Sequence, residues 1–296
     1  MHQPPTVVLT REEWVERSAA HAERVDAYLA PHLARREAHV KHPVFDFLFT
    51  YYSFRPAQLR RWHPGLGTAL AGAPSGDDEL TELVGHRAYA RQDGLVALSS
   101  EFLSSRLPLV SSLHALLTAT ARRTPHFGCF GLHEWAMVYR LADDETRHAN
   151  WPLRLGPAGT DAVVEGHRIA CSHFDAFRFF TPPARGLNTL SPGRDDRAAF
   201  EQPACLHAGM DLYKHAFRLS PLVSSDLVAD AFELAWDIRV LDMRAAPYDL
   251  ADLGFEPVRI ETAEGKATYV EAQRRFAERA APIRERLIAE CERLRG

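Results

Sequence analysis

What the 296-residue sequence lacks narrows its class first. Its four cysteines, Cys129, Cys171, Cys205 and Cys291, are scattered and form no C-x-x-C pair. That spacing disfavours zinc ribbons and cysteine-held iron–sulfur clusters, and reads as reduced thiols in a cytoplasmic protein. No apolar run approaches the ~20 residues of a membrane span. The start, MHQPPTVVLTREEW, has neither the basic n-region nor the apolar core of a signal peptide. A cytoplasmic protein with no membrane partner is the expectation. Positive charge is not in excess either: 35 Lys and Arg against 39 Asp and Glu leave a net −4. Nucleic acid is therefore not held by global charge, although a local basic groove stays open. Also missing are a Walker lysine loop, G-x-G-x-x-G, the G-x-S-x-G elbow, H-E-x-x-H and the zinc-deaminase signature.

What is present is ordinary globular material, 46% hydrophobic and 25% charged, with no internal repeat. The pattern predicts one mainly α domain over 1–296: a helical part at 10–150, a mixed segment at 151–200, and a helical part at 201–296. Thr10 and Glu13 make a T-x-x-E capping box ahead of the stripe Trp14, Val15, Ala19, Ala22, Val25 and Leu29, with Pro31 expected to kink or break that helix. TALAGAPSGDDEL reads as loop. LTELVGHRAYARQDGLVALSSEFLSSRL and LVSSLHALLTATARR read as two helices parted at Pro108. FGCFGLHEWAMVYRL enters a short buried helix through two glycines. Alternation and β-branching predict a strand near 163–171, and PVRIET a short one near 258–261 before an EGK turn. Leu227, Ala231, Leu234, Ile238 and Leu241 share one helical face, and a charged helix containing Pro282 ends the chain.

The chemistry concentrates in three phrases. EQPACLHAGMDLYKHAF carries His207, Asp211 and His215 four residues apart on one helical face, with Glu201 just upstream. Two imidazoles and a carboxylate suit zinc or non-haem iron, and equally suit acid–base work; surface pairing of Asp211 with Lys214 or His215 is the plainer reading. LHEW places His133 and Glu134 among large apolar residues, where a carboxylate is costly without a partner. CSHFDAFRFF puts His173 and Asp175 on one side of an extended segment with Arg178 nearby. Asp237, Arg239, Asp242, Arg244 and Asp249 alternate around a helix end, as intramolecular salt bridges do.

A fourth phrase, TYYSFRPAQLRRWHPG, interleaves Tyr51, Tyr52, Phe54 and Trp62 with Arg55, Arg60, Arg61 and His63. Rings stack on bases while arginines hold phosphates, so this is the nucleic-acid-like patch of the chain; aromatic core beside a solvated basic face is its bland counterpart.

Together FDFLFTYYSFRPAQLRRWHPG, FGCFGLHEWAMVYR, CSHFDAFRFFTPPARGLN, EQPACLHAGMDLYK and LDMRAAPYDLADLGFEPVRIET resemble a group of bacterial, largely actinobacterial, proteins commonly labelled 3-methyladenine DNA glycosylase. The resemblance spans the chain from about residue 44 onward. It implies hydrolysis of the N-glycosidic bond of alkylated purines in DNA, with no cofactor. Glu134, Asp175 and Asp211, and with them Glu201, would be the catalytic carboxylates, partnered by His133, His173 and His207. Tyr51, Tyr52 or Trp62 would stack or wedge, while Arg55, Arg60, Arg61, His63, Arg178 and Lys214 would meet the nucleic acid. The competing expectation is a metal-dependent oxygenase or hydrolase acting on a small molecule. It would hold zinc, iron or manganese through Glu201, His207, Asp211, His133 and Glu134. A third is a non-enzymatic nucleic-acid or partner-binding module in which the polar clusters are structural.

Overall fold

The Thr10–Glu13 box forms as expected: Glu13 N–H donates to Thr10 Oγ1, and the Thr10 N–H reaches Glu13 Oε2 at 2.8 Å. It opens helix Arg11–Glu37 in a computed structural model that describes residues 6–72, 80, 86–141 and 151–296. The chain is mainly helical with one four-stranded sheet in the order β1 (Val7–Leu9), β2 (Thr68–Ala71), β4 (Leu95–Leu98), β3 (Tyr89–Gln92). β1 runs parallel to β2, and the other pairs are antiparallel.

The centre is a pair of helices, Leu206–Leu219 and Ser225–Ala245, packed along each other. Leu206–Leu219 is buried nearly all round, so its polar residues are committed to the interior. Ser224 caps the second helix, whose Leu227, Ala231, Leu234, Ile238 and Leu241 all point into the core as predicted. The long helix Ala263–Arg295 packs against both this pair and helix Ser100–Ala121. One continuous apolar cluster reaches from Leu9 to Leu294.

Several local expectations are overturned. No strand occupies 163–171: helix Gly156–Glu165 covers its first part, and Ile169 makes only a single bridge, to Asn188. The valines that suggested a strand, Val163 and Val164, instead fill the inner face of that helix, burial outweighing the small helical cost of β-branching. No strand forms at 258–261 either; Glu264, Gly265 and Lys266 start a helix capped by Thr262. The sheet lies instead in Val7–Leu9 and in segments read as loop and helix. Part of 73–85 in those readings falls outside the described residues. The hairpin β3–β4 turns on Asp93 and Gly94, at φ 52° and 78°, which is the Asp-Gly signal of a tight two-residue turn. Pro31 and Pro108 lie inside continuous helices, Arg11–Glu37 and Ser100–Ala121, rather than ending them.

Candidate metal centre and adjoining clefts

Three elements meet in the core. Gly131, at φ 69°, turns the chain into helix Leu132–Ala136, which delivers His133 and Glu134; the neighbouring helices bring His207, Arg239 and Asp242. His133 Nε2 lies 3.1 Å from Asp242 Oδ1, yet the two are not aligned as a hydrogen bond, and neither atom has another hydrogen-bond partner among the described residues. The His133 and His207 rings stand edge to face with centroids 4.4 Å apart. One donor atom from each of His133, His207 and Asp242 falls within 4.8 Å of the others. These three side chains could together hold a metal ion.

Around them, Arg239 Nη1 donates to Asp242 Oδ2 at 2.8 Å and to Glu134 Oε1 at 3.0 Å. Its guanidinium carbon sits 3.8 Å from the centroid of the Phe47 ring. Burial lowers the pKa of His133, but the Asp242 charge more than reverses this and carries it up to about 10. Burial favours a neutral Asp242, but the His133 and Arg239 charges hold it well below the carboxylate range. Burial, reinforced by the His133 charge, keeps His207 well below the usual imidazole range.

The donor set fits a divalent transition metal. With His133 protonated, as its raised pKa implies, His133 and Arg239 balance the charges of Asp242 and Glu134, and a metal ion at the His133–Asp242 junction would take the place of the His133 proton. Glu134 Oε2, and Arg239 Nε and Nη2, also lack hydrogen-bond partners among the described residues. His133 and Asp242 are buried, whereas His207 keeps accessible surface although its helix neighbours are buried.

A second polar network adjoins the first through His173, whose ring is 5.3 Å from His207. His173 Nε2 lies 3.4 Å from Glu201 Oε1 and 3.5 Å from Asp211 Oδ2, off the hydrogen-bond line. Asp211 accepts from Tyr52 Oη at 2.9 Å, Arg197 at 2.7 Å and Lys214 at 3.1 Å. Arg197 also donates to Glu201 at 2.5 Å, and Lys214 to Asp175 at 2.9 Å. Burial works to raise the Asp211 pKa, but His173 and the Lys214 charge hold it well below the carboxylate range. His215, deeper on the same helix, is pushed down to about 3 by burial.

All seven expected acid–base residues thus belong to one connected array. His133, Glu134 and His207 stand at its inner end, His173, Glu201 and Asp211 in the middle, and Asp175 at the rim. Asp211 and Glu201, expected as ligands, are engaged by Arg197 and Lys214 instead. The nucleic-acid set is divided. Tyr51, Tyr52, Arg178 and Lys214 line one cleft of about 330 Å³ with Asp175, while Arg55 faces another of about 870 Å³. Arg60 pairs with Asp26 on the surface and Arg61 is exposed. Trp62 and His63 are buried, His63 Nδ1 bonding to Tyr89 Oη at 2.9 Å.

Asp242, Arg239 and Arg197 were missed as site residues. Asp242 carried a readable signal: it follows Ile238 by four positions, in register with the apolar stripe that points into the core. No family model, curated protein or solved structure matches this chain.

Proposed function

We propose that the chain is a metal-dependent enzyme acting on a small molecule, its metal held by His133, His207 and Asp242. The observation that carries this reading is the convergence of three donor atoms within 4.8 Å, two of them buried and off the hydrogen-bond line. Two histidines and one carboxylate are a donor set for zinc, which supplies Lewis acidity and a water of lowered pKa, and for iron(II), which supplies oxygen chemistry. The chain's own residues do the orienting. Arg239 holds Asp242 Oδ2 and so aims Oδ1 at His133, the role of an outer partner to a ligand. Glu134 shares the same Arg239 nitrogen and keeps that guanidinium in place. His173, between His207 and the Glu201–Asp211 pair, is positioned to pass a proton between the centre and the outer network.

Metal analysis of purified, reconstituted protein tests this. About one zinc or iron per chain is expected, with affinity falling roughly 10–100-fold or more in His133→Ala, His207→Ala and Asp242→Ala. Asp211→Asn should retain the metal. Equal metal content in all four variants would overturn the assignment.

A second reading, N-glycosyl hydrolysis of alkylated DNA, is favoured by the cleft in which Tyr51, Tyr52 and Phe54 meet Asp175, Arg178, Lys214 and Arg218. There the rings would stack on a flipped cationic purine, the basic groups would meet phosphate, and Asp175 would offset charge on the sugar. Release of 3-methyladenine from alkylated DNA by chelator-treated protein, lost in Asp175→Asn and kept in Asp242→Asn, is its expected result. An absence of release sinks it.

A further inference from the structure

The 870 Å³ cleft shares a wall with the proposed centre. Phe47 lines the cleft and carries Arg239 on its ring, and Arg239 bonds Asp242. Phe49, Phe54 and Trp151 add further apolar ring surface. Arg36, Lys41 and Arg55 stand exposed around it. Among the described lining residues Asp46 is the one carboxylate, and its oxygens are already taken by Arg35, His32 and the His42 N–H. Among the described residues, Arg36, Lys41 and Arg55 thus have no acid to offset them around a ring-walled cavity of ligand size. The 330 Å³ cleft differs: Arg178 and Lys214 on its wall are offset by Asp175 and Asp211.

We propose that this cleft binds a small aromatic anion, a planar ring bearing phosphate or carboxylate, and that this is the substrate class of the enzyme. Calling the molecule a substrate rests on the metal-centre reading; its binding does not. The ring would lie against Phe47 and Trp151, and its charge would meet Arg36, Lys41 and Arg55.

Calorimetry on metal-stripped protein tests the binding, with AMP and 1-naphthoate as the anionic ring probes. Adenosine serves as the uncharged ring and inorganic phosphate as the ringless anion. At least one ring anion should bind tenfold or more tightly than both adenosine and phosphate. The triple variant Arg36→Gln/Lys41→Gln/Arg55→Gln should lose that advantage, while Arg91→Gln/Arg275→Gln, exposed elsewhere, should keep it. A ring anion that binds no better than adenosine or phosphate, or equally well to the triple variant, overturns the proposal. Metal content of the same preparations reports the centre separately: a cleft that fails with the metal retained leaves the centre standing, and the reverse holds as well.

Discussion

At the scale of single residues, Arg239 is the most consequential group outside the three proposed ligands. It is buried, and it pairs with two buried carboxylates at once. Arg239→Met should destabilise the chain by about 3–5 kcal/mol, because Glu134 and Asp242 would be left charged and unpaired. Adding Glu134→Gln should recover part of that loss, and urea unfolding of the single and double variants measures both effects. His63 makes a pH-dependent prediction. Burial holds its pKa down to about 3, against 6.5 for a free imidazole. The unfolded chain therefore takes up a proton below pH 6.5 that the folded chain refuses. Stability from this group is full above pH 6.5 and falls as pH drops towards 3. From pH 6.5 to 5 the loss is about 2 kcal/mol, and His63→Gln should remove about that much of the pH dependence. Sequence reading found His133, Glu134, His173 and His207 because each stood out as polar among apolar neighbours. It passed over Asp242 because the flanking Asp237, Arg239 and Arg244 made an ordinary surface charge pattern. Which of alternating charges turns inward depends on the helix face, and that face was visible only through the apolar stripe.

At the scale of elements, two close approaches carry the packing. A Cβ on Gly265 would sit 1.9 Å from the Arg259 carbonyl oxygen, where only glycine lets helix Ala263–Arg295 start against the preceding segment. Gly265→Ala should cost roughly 2 kcal/mol or more, through backbone that must shift. At Gly209 the obstacle is Ile238 Cδ1 at 2.9 Å, the end of a side chain that can rotate, so Gly209→Ala should cost less. Thermal unfolding of the two variants checks the order, and a larger loss at Gly209 would contradict it. The long helices were legible because their apolar spacing runs over many turns and their caps are standard. The sheet was not, because its strands have three or four residues each and pair across long stretches of sequence, as Val7 does with Thr68. Asp93-Gly94 was the one local sign of it. Prolines misled in the opposite direction, since tertiary packing holds the helices through Pro31 and Pro108.

At the scale of the molecule, ion pairs between distant segments bind the outer helices to the central one. Arg24 on the first helix grips Glu233 with two nitrogens, both at 2.7 Å, and Asp230 at 2.8 Å, while Arg286 reaches Asp230 from the last. These groups are about one third exposed, so Arg24→Met should cost only about 1 kcal/mol, and less at high salt. Denaturant unfolding in low and high salt measures this. Inside that frame the fold draws residues from four segments, around positions 133, 173, 207 and 242, into one polar array within an otherwise apolar core. Its inner end adjoins a ring-walled basic cleft, and its outer end reaches a second cleft. The central claim is that the inner end holds a metal. An anomalous difference map from crystals of reconstituted protein, recorded at the zinc and iron absorption edges, tests it most directly. One peak is expected, bonded by His133, His207 and Asp242; a map with no peak there, or a peak held by Glu201, Asp211 and His215 instead, would contradict a metal at the inner end.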